Sequence, residues 1–368
     1  MAKKFRIGVI GSTGRGNYGH GLDTAWFDFP NTEIVAVADD NKEGLAKAAA
    51  LLKVDRTFTD YRDMLGKAKL DIVAICPRWV DQHYDMALAA VKRGIHAYME
   101  KPLCRTLEEA DELVRVCEQT HAKIAVALPT HYSPQISTVK NLIQSGKLGR
   151  ILEYRARGKE DRRGGGEDLW VLGTHVIDLL LTFGGQPKWC FAHVTQDGRP
   201  VTKADVYDGA EGIGPLAGNG ISATYGLVSG ATMTFHSYGH AGSRKPQRYG
   251  VKIYGSAGVA GIVEGTLPPV TYLPDPSWSP GRSGQQWQKV STAGIDKPEP
   301  LSGKKFEARH MLAIEDFLAA IEDNREPKCN IYRGRAITEM IAAIFESHRQ
   351  GRPVPLPLEN RRNPLTLL

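Results

Sequence analysis

A chain of 368 residues has room for two domains, because single hydrophobic cores stop growing near ~250–300 residues. Its formal charge of +6 is dispersed: acids and bases are interspersed, with short basic clusters only at Arg162-Arg163 and Arg361-Arg362, so there is no concentrated face for nucleic acid. No run approaches the ~18 uninterrupted apolar residues of a membrane span, and five scattered cysteines without a Cys-x-x-Cys argue against a disulfide framework or a zinc site. The expectation is a soluble protein with buried, reduced thiols, no metal and neither a nucleic-acid nor a membrane partner. Because Met1-Ala-Lys-Lys-Phe-Arg-Ile leads straight into a strand and leaves no room for a signal peptide, the cytoplasm is the expected compartment.

Residues 5–11 read as an apolar strand that breaks into a glycine-rich turn, Ser12-Thr13-Gly14-Arg15-Gly16. A dinucleotide turn uses its first glycine for the bend, its second for backbone approach to a pyrophosphate and its third for close packing of the next helix. Gly11 and Gly16 fill the first and third places, Thr13 stands at the second, and Gly14 offers the close approach one residue later. Taken alone, the stretch is equally an ordinary turn. After a long connection, Thr32–Ala38 is a second buried strand ending at Asp39-Asp40-Asn41. A carboxylate there accepts from both ribose hydroxyls of an adenosine and repels a 2′-phosphate, which favours NAD over NADP. The same residues suit a helix cap, and both uses are compatible, with Asp39 on the ribose and Asp40 or Asn41 capping.

The alternation continues with a strand at 57–59, a helix at 61–67, a strand at 70–76 ending in Cys76-Pro77, and a helix from His83 to Arg93 closed by Gly94. A strand over 94–99 then runs into Glu100-Lys101-Pro102, followed by a helix at 106–120 and a strand at 123–128 stopped by Pro129. This period predicts a doubly wound parallel sheet. The carboxyl ends of such strands form the ligand crevice, so Lys101 faces whatever the sheet holds. A Glu-Lys pair at a strand end is also a common solvated pair. Beyond a strand at 151–157 the pattern turns to hairpins, 221–227 with 231–235 and 249–254 with 259–263, joined by small-residue turns. A Pro/Gly-rich loop at 267–282 and helices at 306–322 and 334–349 follow. The boundary falls near Pro129, giving domains 1–129 and 130–368.

The Gly11 turn, the Asp39 strand end, Cys76-Pro77 with His83 beyond, and Glu100-Lys101-Pro102 together resemble the glucose-fructose oxidoreductase and inositol dehydrogenase (Gfo/Idh/MocA) family. The resemblance extends through Gln144 to Arg150, Gly173-x-His175-x-x-Asp178, Phe317, residues 331–346 and the closing Gly351-Arg-Pro-Val-Pro-Leu-Pro. It implies an α/β protein: an N-terminal Rossmann domain binding NAD, and a C-terminal α/β domain on a large, open-faced, mostly antiparallel sheet through which homodimers or homotetramers form. It also implies hydride transfer between nicotinamide and a secondary hydroxyl of a sugar, sugar acid, glycoside or cyclitol. Ser12, Thr13, Gly14, Asp40, Cys76, Pro77 and His83 then join Gly11, Gly16, Asp39, Glu100 and Lys101 on the cofactor side.

For the chemistry, the resemblance makes Lys101 the cation at the reacting hydroxyl and His175 the acid/base, an imidazole being suited to proton transfer near neutral pH. His175 and Asp178, three residues apart, share a helix face; a buried core histidine is the plain alternative. The family commonly has an aspartate where Val171 stands, so Glu167 or Asp168 becomes the candidate replacement, while His131-Tyr132 stands where arginine and an aromatic are usual. Glu100, Asp178, Asp168, Glu167, His131 and Tyr132 are the expected substrate contacts. Two rival readings remain open: tightly bound NAD that labilises a glycosidic bond by transient oxidation, and a non-catalytic ligand-binding relative, for which Val171 speaks.

Overall fold

The computed structural model describes residues 4–239, 248–303 and 310–368. The chain divides into two compact units, the first comprising Met1–Ala127, Ala210–Gly214 and His310–Thr338, the second Leu128–Gly209, Pro215–Arg309 and Glu339–Leu368. A linear boundary at Pro129 does not anticipate the two later segments that return to the first unit.

In the first unit, β1 (Phe5–Ile10), β2 (Thr32–Ala38), β3 (Thr57–Phe58), β4 (Ile72–Ile75), β5 (His96–Met99) and β6 (Ile124–Val126) form one sheet in the order β3-β2-β1-β4-β5-β6. Every pairing is parallel. All of β4 and the last four residues of β1 are buried, as expected for strands covered on both faces. The helices between these strands are α1 (Lys42–Leu52), α2 (Tyr61–Lys67), α3 (His83–Val91) and α4 (Leu107–Thr120). Asn41 caps α1 by accepting from Gly44 N at 2.9 Å, and Thr106 caps α4 by accepting from Glu109 N at 3.2 Å.

The first crossover departs from expectation. No α-helix follows β1: Ser12 and Asn17 form an isolated antiparallel bridge, turns run on, and the connection contains only a 3₁₀ turn at Ala25–Asp28. Gly14, Gly16, Gly19 and Gly21 take φ of 90°, 91°, 67° and 88°, and Asn17 takes 54°, a run of left-handed residues that no α-helix accommodates. Gly16 therefore does not admit a following helix. A Cβ there would stand 2.4 Å from Arg78 N, so its bare backbone lets the turn pack on the segment after β4.

In the second unit, α5 (Pro134–Gln144) precedes β7 (Ile151–Arg157), then α6 (Gly165–Asp168), a π-helical turn at Leu169–Gly173, α7 (Thr174–Gly184) and β8 (Pro187–Gln196). β7 lies inside a large sheet between Gly250–Gly255, antiparallel to it, and Thr232–Tyr238, parallel to it; β8 pairs with Gly220–Leu227 on one side and Val354–Pro355 on the other. Burial alternates along these strands: Tyr154, Ala156, Met233, Phe235, Val251 and Ile253 are buried, while Arg155 and Lys252 on the opposite face are exposed. The buried face receives α7, whose Gly184 lies so close that a Cβ would stand 2.3 Å from Met233 Cε.

The expected loop at 267–282 contains a strand, Val270–Leu273, and a short helix begins at its end, Pro280–Ser283. β8, with its leading proline and interspersed lysine and histidine, was not anticipated. Of the helix expected at 306–322, Met311–Glu322 is observed and residues 306–309 lie outside the described residues. The last long helix is Ile331–Gln350. Among the described residues no helix is long and apolar enough to cross a membrane, and all five cysteines are buried and outside any disulfide.

Candidate functional site

Three clusters of polar side chains stand out, two in the first unit and one in the second. In the first unit, a cavity of about 250 Å³ opens at the carboxyl ends of β1 and β2, lined by Gly11, Ser12, Asp39, Asp40, Tyr61 and Arg62 among others. Asp39 is 2 % exposed. Its carboxylate accepts from Thr13 N at 3.2 Å, Thr13 Oγ1 at 2.7 Å, Tyr18 Oη at 2.9 Å and Asn41 N at 2.9 Å. Thr13 thus ties the turn to the end of β2, a tether that glycine at that position would lack. Gly44 makes room for it, since a Cβ there would stand 1.9 Å from Thr13 Oγ1. Gly11 is matched to Tyr18: a Cβ would stand 2.2 Å from the ring. Burial first, and the Asp39 charge second, push the Tyr18 phenol up, so it remains a donor.

Whether this cavity suits a dinucleotide can be judged from its polar atoms. Ser12 Oγ is buried there without a hydrogen-bond partner. Three carboxylates on or beside the cavity, Asp39, Asp40 and Asp60, outnumber the one guanidinium of Arg62, a balance that suits ribose hydroxyls and opposes an added phosphate. The adenosine half of NAD fits. The turn amides are less open than the glycine pattern suggests: Ser12 N, Thr13 N, Gly14 N and Arg15 N are bonded to Asn17 O, Asp39, Asn17 Oδ1 and Ser12 O.

At the end of β5, Glu100 and Lys101 are 2 % and 5 % exposed. This is no solvated pair. Glu100 Oε1 lies 2.6 Å from His20 Nδ1 and accepts His20 N at 3.2 Å. Burial alone would raise the Glu100 carboxyl, but the His20 bond and the neighbouring charges of Lys101, His20 and His310 outweigh it and hold its pKa at about 2. A full negative charge therefore sits beside the lysine. His310 Nδ1 meets Tyr98 Oη at 2.9 Å, and its Nε2 meets His20 O at 3.2 Å, so residues far apart in sequence brace the same turn. Sequence reasoning missed His20 and His310, because a single histidine, in a glycine-rich stretch or ahead of an apolar helix, carries no signal of its own.

His83 and Cys76 were expected to contact the cofactor, and their burial argues otherwise. His83 is 0 % exposed, with Nδ1 2.6 Å from Pro102 O and Nε2 2.7 Å from Pro77 O. It ties the end of β4 to the Glu100-Lys101-Pro102 turn. Burial pushes its pKa down while the two carbonyls push it back up. The Cys76 thiol is equally buried, and burial followed by the Asp23 and Glu100 charges drives its pKa well up.

In the second unit, His175 (3 % exposed) and Asp178 (1 %) lie one turn apart on α7. Asp178 Oδ2 lies 3.1 Å from His131 Nδ1, which also meets Thr182 Oγ1 at 3.2 Å. The Tyr132 ring stands edge-on to His131 at a centroid distance of 5.6 Å. His175 Nδ1 lies 4.0 Å from Glu264 Oε1, and that oxygen accepts from Thr130 Oγ1 at 3.0 Å. Neither Thr130 nor Glu264 was singled out from sequence.

The two candidates for the carboxylate absent at Val171 fall elsewhere. Asp168 is fully buried and accepts from Lys159 N, Glu160 N and Ser237 Oγ at 3.2, 3.1 and 2.6 Å. Burial pushes its pKa up against those bonds. It braces the segment leading into α6, and its burial among these donors leaves it no face toward a substrate. Glu167 adds its charge to the upward push that burial gives the Tyr207 phenol. Val171 is 8 % exposed, part of the apolar packing.

Comparison with known proteins places these clusters in context. The profile described as "Oxidoreductase family, NAD-binding Rossmann fold" matches residues 5–128, and "Oxidoreductase family, C-terminal alpha/beta domain" matches residues 140–356. Dehydrogenase aclE of Aspergillus oryzae is 26% identical over 217 residues, 53% of this chain and 59% of its own length. A glycosyl hydrolase family 109 protein of Shewanella putrefaciens is 27% identical over 165 residues, 42% of this chain and 36% of its own. These matches thus span less than two thirds of the relatives' length. The solved structure of levoglucosan dehydrogenase in complex with NADH and levoglucosan shares the fold, with a TM-score of 0.74 and 20% identity, covering 96% of this chain and 100% of that one.

Proposed function

The chain belongs to the Gfo/Idh/MocA oxidoreductase family, whose first domain is an NAD-binding Rossmann fold, and from that premise we propose that it moves a hydride between NAD and a secondary hydroxyl of a sugar, sugar acid, glycoside or cyclitol. The observation that carries this reading is Lys101, buried at the carboxyl end of a parallel strand beside a carboxylate kept ionised by His20. A lysine so placed supplies positive charge where an alkoxide develops, without reorganisation at the moment of reaction.

Ser12 and Asp39, which line the cavity at the ends of β1 and β2, would hold the adenosine half of NAD. When bound, the nicotinamide supplies the hydride acceptor. His175 takes the hydroxyl proton in oxidation and returns it in reduction, a role suited to an imidazole near neutral pH. Asp178 and His131 hold each other and shape the sugar-facing side of the helix, with Tyr132 beside them. Glu100 fixes the surroundings of Lys101. Similarity to a protein named as a glycosyl hydrolase of family 109 keeps a second reading in view, in which NAD stays bound and transient oxidation labilises a glycosidic bond.

Self-association is part of the proposal. The open face of the large sheet carries a cavity of about 640 Å³ lined by Arg155, His236, Lys252 and Thr271 among others, and the outward side of β8 leaves Trp189 and Phe191 37 % and 46 % exposed. A second copy packing sheet against sheet would cover them in a homodimer or homotetramer. The deciding assay follows nicotinamide absorbance with free NAD and a panel of sugars, sugar acids and cyclitols. Many turnovers per protein support the dehydrogenase; glycoside cleavage without net reduction of added NAD supports the second reading; nucleotide binding with neither defeats both.

A further inference from the structure

We propose that Glu264 is the positioning carboxylate of His175, an inference that rests on the dehydrogenase reading and names a further residue for it. Glu264 follows the strand Val259–Val263, and its main chain is fixed by Glu264 N donating to Tyr249 O at 2.9 Å. Its side chain is 19% exposed and places Oε1 4.0 Å from Nδ1 of a histidine that is only 3% exposed. That is ion-pair range, longer than a hydrogen bond.

What makes the pair specific is Thr130. Its hydroxyl, 1 % exposed, accepts from Gly265 N at 3.2 Å and donates to Glu264 Oε1 at 3.0 Å. The amide occupies the acceptor side, so the single hydroxyl proton is directed at the carboxylate oxygen that faces His175.

The neighbouring acids are committed elsewhere. Asp178, on the same helix as His175, is engaged by His131. Asp168 is held by two amides and Ser237. Glu160 pairs with Arg157 and Arg248. Tyr249, beside the same helix, donates to Leu172 O. Among the described residues, Glu264 is thus placed to balance an imidazolium forming at His175, and to turn its other ring nitrogen toward the substrate proton.

The test uses the full chain without cofactor first. His175 is titrated by NMR with ring-labelled histidine in wild type, Glu264→Gln, Glu264→Asp and Thr130→Val. An opposite charge within ~4–6 Å shifts a pKa by about one unit or more, so Glu264→Gln should lower the His175 midpoint by about one unit. Thr130→Val should move it part of the way, and Glu264→Asp should largely restore it. With NAD and the best substrate of the panel, Glu264→Gln should cost roughly tenfold in kcat, the equivalent of one unit of base strength. The acid limb of kcat/KM should move to lower pH, with KM for NAD unchanged. A His175 midpoint and an acid limb that both stay at their wild-type values in Glu264→Gln would overturn the proposal and leave the dehydrogenase reading intact. If no substrate turns over, that reading fails and the titration alone still decides whether Glu264 acts on His175.

Discussion

The two sheets of this protein handle charge in opposite ways. In the parallel sheet, the carboxyl-terminal halves of the strands are buried on both faces and apolar, and the buried ionisable groups follow directly at their ends: Asp39 after β2, and Glu100 and Lys101 after β5. There they are buried and fixed by specific partners. In the large sheet every second residue faces outward, and Arg155, Arg157, His236 and Lys252 are spread across strands without being locked in a core. A charge at a buried strand end is held in one place and can do work on a ligand, whereas a charge on an open face mostly governs what docks there. Substitutions in the two regions should therefore differ in kind as well as in size.

The largest contrast is expected in turnover. Lys101→Ala should lower kcat by roughly 10²–10⁴-fold, the usual range for a positioned acid, base or charge, and His175→Ala by a similar factor, with NAD affinity measured by fluorescence unchanged. Full activity in both variants would break the assignment. Next comes acid stability. Glu100 has a pKa of about 2 in the fold against an ordinary 4.5. Its contribution is therefore complete above pH 4.5 and is lost as pH falls through 2, about 3 kcal/mol in all. Urea melts of wild type should lose that much more than Glu100→Gln between these limits; parallel curves would show that the charge at this strand end is not held as described.

A smaller effect is expected at the other strand end. Asp39→Ala should narrow the preference for NAD over NADP by roughly tenfold, the scale of one charge contact in a partly solvated site, read from the two dissociation constants. The smallest is expected on the open sheet. Arg155, 2.5 Å from Glu153 and half exposed, should tolerate alanine within about 0.5 kcal/mol of folding stability. If copies pack through this face as proposed, a charge introduced by Phe191→Glu should prevent that association in light scattering without altering the thermal midpoint of the separated subunit. A dilution-independent monomer in wild type would remove the docking role from that face.

The parallel sheet was legible because its strands are short apolar runs bounded by glycine, proline or a charge, and its helices carry caps such as Asn41 and Thr106. The first crossover was not, since a glycine turn reads alike whether a helix or further turns follow; four glycines in left-handed conformation decided for turns. In the site, Asp39, Lys101 and His175 announce themselves by standing at strand ends or beside a glycine on an apolar helix. Glu264, Thr130, His20 and His310 do not. Each is an isolated polar residue whose partner lies 80 or more positions away in sequence, as in His20 with Glu100, His310 with His20 and Thr130 with Glu264.

By itself, then, the sequence determined the alternation of strand and helix, the change to hairpins beyond Pro129, and the residue types able to carry acid–base chemistry, because periodicity and turn chemistry are local. It could not say which of several carboxylates serves His175. Asp178 is nearest in the chain and is engaged by His131, Asp168 is spent on backbone amides and Ser237, and Glu264 arrives from a strand end some ninety residues on. That choice belongs to tertiary structure: the energy of an ion pair depends on distance and burial in space, and neither is written in the spacing of residues along the chain.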